Sequence, residues 1–170
     1  MSKIASIIAK VETASSLSQL LGFGGSASAI YFKLLGNVLP KQWRFTHRSR
    51  RPPKDPANAV LSFGYVIVTS ELRAMLDGVG FDPYLGFYHE VDYGRPSLAL
   101  DLVEVFRHAL VDRLMLKLFN LHILNESDFE NVAKGGIYLS MSGKHKFFKH
   151  YENMAGSYRG EAELLYKNKF

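Results

Sequence analysis

From Ala57 to Ser70 the chain carries no charged residue and is apolar on every side of a helical projection; a single carboxylate, Glu71, follows directly. Such a segment is stable only with its surface buried, so the rest of the chain has to be packed around it. Its start is well marked. Asp55 can cap the free backbone amides, and Pro56 takes the first helical position, where a missing N–H costs nothing. Gly80 suits the C-cap. Asn58, Ser62 and Gly64 interrupt the apolar run, and it reads as too short for a bilayer, which needs roughly 18 or more apolar residues. The β-branched run Val66 to Thr69 fits a strand as well as a helix. In either form a carboxylate at Glu71 is desolvated unless paired, so a metal ion or a basic partner is expected beside it.

With 170 residues, the chain is long enough for one domain with a real core. Its 21 Lys and Arg outnumber its 16 Asp and Glu, a net charge of +5 that favours a polyanionic partner. The excess is uneven. Between Lys41 and Lys54 every charged side chain is basic (Lys41, Arg44, Arg48, Arg50, Arg51, Lys54), with Trp43, Phe45 and His47 interleaved. That run is either a solvated basic linker or an arm that contacts phosphates. The absence of cysteine excludes disulfides, thiolate zinc sites and cysteine nucleophiles together. Lys3, Lys10 and Glu12 break up the first apolar residues, so no signal peptide or membrane anchor is expected and a cytoplasmic location is the default.

Ile4, Ile7, Ile8 and Val11 fall at helical spacing and read as an amphipathic helix. Gly22, Gly24 and Gly25 lack the Gly-Lys-Ser/Thr ending of a phosphate loop, and a glycine-punctuated turn into a helix over about 26–35 is expected. Residues 1–40 are thus expected to be a helical segment packing on the core, and 41–170 the functional helical domain. His89 sits in an aromatic-rich loop; alone it is either a packing histidine or part of a site. His89-Glu90 opens like a zinc-protease motif, but Tyr93 stands where the second histidine would be needed. Pro96 and Ser97 open a second apolar helix over about 98–121, on which Asp101, Glu104, His108 and Asp112 share one face. That face suits a cation or, with Arg107 and Arg113 nearby, is a solvated stripe. Further on, Ser127 or Asp128 is expected to cap a short helix, Gly135-Gly136 to turn, and Ile137 to Leu139 to be extended. Lys144, His145, Lys146, Lys149 and His150 alternate with Phe147, Phe148 and Tyr151 on a helix that is either a second nucleic-acid face or an ordinary amphipathic one.

Glu71, His89 and Glu104, with Asp101 beside the last, supply hard oxygens and one imidazole, a set that fits Mg²⁺ or Mn²⁺ better than a soft metal. Next to basic, aromatic-rich segments, the matching chemistry is attack on a phosphodiester, which needs no nucleotide loop.

These stretches resemble a known family. RSRRPPKDPANAVLSFGY followed by Glu71, DPYLGFYH (Asp82 to His89), GRPSLALDLVEVFR (Gly94 to Arg107) and the later GKHKFFKHYE occur in the order seen in the CRISPR-associated spacer-acquisition integrases, the first of the Cas proteins. The resemblance implies a mainly α catalytic domain without the family's usual N-terminal β-rich domain. It implies Glu71, His89 and Glu104 as ligands for Mn²⁺ or Mg²⁺, with Asp101 a further catalytic acid. DNA contacts are expected at Arg48, Arg50, Arg51, Lys54, Arg95 and Arg107. The implied activity is divalent-metal-dependent DNA integration or endonuclease cleavage in CRISPR adaptation, joining 3′-hydroxyl ends to a CRISPR repeat by transesterification. The implied partners are DNA, Cas protein two and a second copy. This chain departs from the pattern at Gly24, which replaces the glycine-flanked acid usual in the first helical motif, and at Val105 and His108, where prolines are common. A DNA-binding remnant, or a piece of a fusion protein, is the alternative. A third expectation is that the carboxylates pair with Arg48, Arg50 or Arg95 and hold no metal.

Overall fold

The computed structural model describes residues 3–43, 45–132 and 135–167, with side chains described as far as residue 156; Arg44 of the basic run lies outside them. The architecture is mainly α. Helices α1 (Lys3–Glu12), α2 (Leu17–Val38) and α3 (Pro56–Gly78) are followed by α4 (Ser97–Phe106), a π-helical turn (His108–Asp112) and α5 (Arg113–Asn120). A hairpin of β1 (Phe129–Val132) and β2 (Gly136–Leu139) then leads into α6 (Met141–Lys167).

The apolar run forms α3 throughout, including Val66 to Thr69. Asp55 accepts from the Asn58 N–H at 2.8 Å, with Pro56 at the first turn. At the far end Gly80, at φ +84°, donates to Asp77, and Phe81 donates to Leu76, which is a Schellman cap. The 23 residues of α3 fill the interval expected between Asp55 and Gly80, and, contrary to the reading of the apolar run as too short, by length and composition alone the helix would suffice to cross a bilayer. In the fold, Ala57 to Leu61, Gly64, Val68 and Leu76 are buried. The main body of the core joins them to Leu114, Met115, Leu118 and Phe119 of α5 and Phe147 of α6.

Gly22, Gly24 and Gly25 do not make a turn. Ser16 accepts from the Gln19 N–H and caps a helix that runs straight through all three glycines. Glycine allows close approach in this helix: a Cβ on Gly36 would stand 3.0 Å from the Phe45 carbonyl oxygen, a backbone atom, and one on Gly24 would stand 2.9 Å from the Tyr88 hydroxyl, a side-chain tip that can move aside. Packing of the first 40 residues on the core falls to Phe32, Leu35 and Leu39, while α1 buries no residue.

The second apolar stretch starts and ends where expected but is interrupted. The Asp112 N–H donates to the Arg107 carbonyl at 2.9 Å, five residues back, which opens the π turn and swings the following residues inward. The stripe expected on one face is divided, already within α4 and again across the π turn: Asp101 and Asp112 are buried, Glu104 and His108 exposed.

Gly135, at φ +71°, turns the hairpin, with Phe129 opposite Leu139. Asn125, rather than Ser127 or Asp128, caps the short 3-10 turn Glu126–Asp128, accepting from the Ser127 N–H at 3.1 Å. Asp128 instead holds the start of α6 through Lys146 Nζ at 2.6 Å and Ser142 Oγ at 2.7 Å. The aromatics of α6 belong mostly to the interior: Phe147 and Tyr151 are buried, and Phe147 packs edge-on against Phe63 at 5.1 Å.

Candidate functional site

A cleft of about 530 Å³ opens between α2, the basic segment after it, the loop carrying His89, and α4. Gly24, Gly25 and Ser28 line one side; His47, Arg48 and Arg50 another; Tyr88, His89, Glu104 and Arg107 complete it.

The basic segment reaches the cleft because Asn58 holds it there. Buried on α3, Asn58 Oδ1 accepts from Arg48 Nη1 at 2.8 Å and from the Ser49 N–H at 2.9 Å, while Nδ2 donates to the His47 carbonyl at 2.9 Å and to Asp55 Oδ2 at 2.6 Å. Arg48 Nη2 also reaches Ser62 Oγ at 3.0 Å, and its guanidinium lies 5.4 Å from the Tyr65 ring centre. Burial, with Arg50 and Arg107 nearby, lowers the Arg48 pKa to about 10 against the pull of Tyr65 and Asp112, so it remains a cation at neutral pH.

His89 is oriented. Its Nδ1 lies 2.6 Å from Asp101 Oδ1, and Asp101 also accepts from the backbone N–H groups of Phe87, Tyr88 and His89 at 2.7 to 2.9 Å. Burial raises the Asp101 pKa, but these bonds from Tyr88, the His89 ring, Phe87 and the His89 backbone outweigh it and leave the carboxyl below its usual range. Donation of Nδ1–H to an ionised Asp101 leaves the lone pair on Nε2, the arrangement that suits an imidazole to a ligand or a proton.

Glu104 is paired with Arg107, whose Nη1 donates to both carboxylate oxygens at 2.6 and 2.5 Å. Arg107 is buried over the rings of Phe32 and Tyr65, each 5.8 Å away. Behind it, Asp112 accepts from Tyr31 Oη at 2.7 Å and Tyr65 Oη at 2.5 Å, and lies 2.8 Å from His108 Nδ1. Burial and the Asp112 carboxylate push both tyrosine pKa values well up, so the two phenols stay protonated donors. The Nε atoms of Arg48 and Arg107 are buried without a hydrogen-bond partner.

The residues expected from the sequence thus divide. His89, Asp101 and Glu104 gather at the cleft, with Arg48, Arg50 and Arg107. Glu71 does not line it; its Oε2 accepts from the buried Tyr151 Oη at 2.6 Å. Arg51 and Lys54 are exposed and Arg95 half-buried, all outside the cleft lining, and Lys54 Nζ donates to the Gly135 carbonyl at 3.3 Å. Glu104 takes Arg107 as its basic partner, not Arg48, Arg50 or Arg95. Among the described residues no three His, Asp or Glu side chains are grouped to hold a metal ion. Three such side chains line the cleft, His47, His89 and Glu104, but they are not grouped around one point. Asn58 and Tyr65 were missed as site-building residues, although an amide inside an otherwise apolar helix is a visible demand for partners.

Comparison with known proteins follows the same lines. The family model of CRISPR associated protein Cas1 matches residues 1–153. A CRISPR-associated endonuclease Cas1 of Thermodesulfovibrio yellowstonii is 41% identical over 153 residues, 87% of this chain and 48% of that protein. One from Thermus thermophilus is 41% identical over 143 residues, 84% of this chain and 43% of that protein. Among solved structures, a Cas1 protein of Thermotoga maritima superposes with a TM-score of 0.83 at 35% identity, over 88% of this chain and 48% of that one. A casposase bound to its integration product gives a TM-score of 0.82 at 27% identity, over 88% of this chain and 43% of that one. The chain therefore spans less than half the length of these relatives. Motif order, helical architecture and a family match over nearly the whole chain agree: the chain belongs to the Cas1 family of CRISPR-associated proteins.

Proposed function

We propose that this chain binds DNA through the arginine-lined cleft, gripping the phosphodiester backbone with Arg48, Arg50 and Arg107 as the DNA-contacting half of a Cas1-type assembly. The observation that carries this reading is the convergence of these three cations on one cleft. Guanidinium groups at a cleft surface pair readily with phosphate oxygens. The related structures include a casposase with its DNA product and Cas6-RT-Cas1–Cas2 complexes, which supports DNA and a Cas2-type protein as partners.

Fluorescence anisotropy of a labelled short duplex, in chelator and at low salt, tests the reading. Binding without any divalent ion is expected, weakened at least tenfold by Arg48→Ala. A protein that stays folded yet binds no duplex under these conditions removes it.

The oriented His89 in the same cleft lining as Glu104 favours a second reading, in which the cleft joins or cuts DNA with Mg²⁺ or Mn²⁺. Joining of a 3′-hydroxyl duplex to a repeat-bearing plasmid, lost in His89→Ala, would establish it.

A further inference from the structure

We propose that α5 and α6 form a second duplex-binding surface outside the cleft, on which Lys117 and Lys149 contact the phosphates of double-stranded DNA. The inference does not depend on the cleft, because no residue of α5 or α6 lines it. Up to residue 156 the two helices carry Arg113, Lys117, Lys144, Lys146 and Lys149 against a single carboxylate, Glu152. Buried Phe147 and Tyr151 mark the inward face of α6, so Lys149 and His145, one turn apart, stand on its exposed side. The helices pack on each other, and Lys117 of α5 and His150 of α6 are half-buried. Burial first, and then Lys117 and Lys149, hold the His150 pKa below its usual value, which puts both ammonium groups within electrostatic reach of one imidazole.

Most of this charge is not neutralised inside the fold. Lys146 is, through the buried Asp128 at 2.6 Å. Among the described residues no ion pair reaches Lys117, Lys144 or Lys149, and Glu152 makes none. Like charges gathered without a counter-charge work against the compact state, and a polyanion laid across them removes that repulsion while releasing its own counterions. A lysine meets a phosphate as a point charge on a flexible stem, a contact that positions a duplex without reading its bases. A protein partner would call for an apolar centre to the contact. Of the exposed residues from 145 to 153 only Phe148 is apolar, which favours the nucleic acid.

The test is acetylation of surface lysines by an N-hydroxysuccinimide ester, in chelator, with and without saturating short duplex, read by peptide mass spectrometry. Duplex is expected to slow modification of Lys117 and Lys149 but not of Lys33, an exposed lysine on α2. In anisotropy, Lys117→Gln/Lys149→Gln is expected to lower the slope of log affinity against log salt by about 2. Lys117→Arg/Lys149→Arg should keep the wild-type slope, and Lys10→Gln/Lys33→Gln, which removes the same charge elsewhere, should change it less. If the double Gln variant does not fold, Lys149→Gln at its exposed position carries the test with a drop of about 1. Modification of both lysines that duplex leaves unchanged would overturn the proposal, as would an equal slope change in the Lys10/Lys33 variant. Protection by polyglutamate but not by duplex would also overturn it, in favour of an acidic protein partner. Arg48→Ala separates the two sites: its affinity tests the cleft, while protection of Lys117 and Lys149 that persists in it supports the second surface and protection lost with it does not.

Discussion

Asn58 has no exposed surface, and its side-chain amide is fully engaged: it receives Arg48 and the Ser49 N–H, and donates to His47 and Asp55. It fixes the basic segment to α3 more than it contributes to the apolar helix around it. Asn58→Ala leaves the Ser49 N–H and one Arg48 N–H without their acceptor. It should cost roughly 2–6 kcal/mol in urea unfolding, at about 1–3 kcal/mol for each of the two orphaned groups, and should lower DNA affinity by releasing Arg48. Asp128 does a similar job for α6. Burial raises its pKa, but the bonds from Lys146, the Asn125 N–H and Ser142 outweigh this and hold the carboxyl below the usual range. A depressed folded-state pKa stabilises the fold fully above the unfolded value near 3.9, and that contribution disappears as pH falls through the folded value. Asp128→Asn should therefore destabilise by roughly 1–3 kcal/mol at neutral pH, with the gap to wild type closing in acid; urea midpoints at neutral pH and near pH 3 check it.

At the scale of elements, the π turn decides the geometry of the cleft's back wall. The backbone bond from Asp112 to Arg107 advances the chain by one extra residue, which brings Asp112 under Tyr31 and Tyr65 and Val111 against α3. The fit is tight: a Cβ on Gly64 would approach Val111 Cγ1 to 2.5 Å, and Val111 is fully buried. Gly64→Ala should destabilise by roughly 1–3 kcal/mol through overpacking. The added Val111→Ala change should recover part of that loss, giving a coupling energy of about 0.5 kcal/mol or more in a double-mutant cycle, whereas independent effects would simply add.

For the whole molecule, the net charge of +5 becomes useful through its placement. Arg48, Arg50 and Arg107 converge on one cleft from a loop and a helix that are distant in sequence. Arg50 is exposed, so Arg50→Gln should leave the melting temperature unchanged while reducing the slope of log affinity against log salt by about 1. The same substitution at Arg51, exposed but outside the cleft, should change the slope less, and equal effects at both positions would place the contact along the whole basic segment.

The sequence alone determined where α3 begins and ends, because Asp55-Pro56 and Gly80 are cap signals and the uncharged run between Ala57 and Ser70 has to be buried, while the structure decided that Val66 to Thr69 stay helical. The sequence also determined the family and the pairing of His89 with the α4 acids as the centre of interest, since the short motifs that carry these are contiguous. Only the tertiary structure decided that α2 runs through its glycines and that Gly24 and Gly36 are points of close approach, because the groups that meet them, the Tyr88 hydroxyl and Phe45, lie outside the helix. It alone placed Asp101 and Asp112 inside and Glu104 and His108 outside: Asp101 turns to the loop that carries His89, and Asp112 is carried inward by a π turn that a periodicity assuming a regular helix does not show. And it separated Glu71 from the cleft, because which partner meets a carboxylate two turns before the end of a long helix is set by the packing of α6, through Tyr151, and not by anything adjacent in the chain.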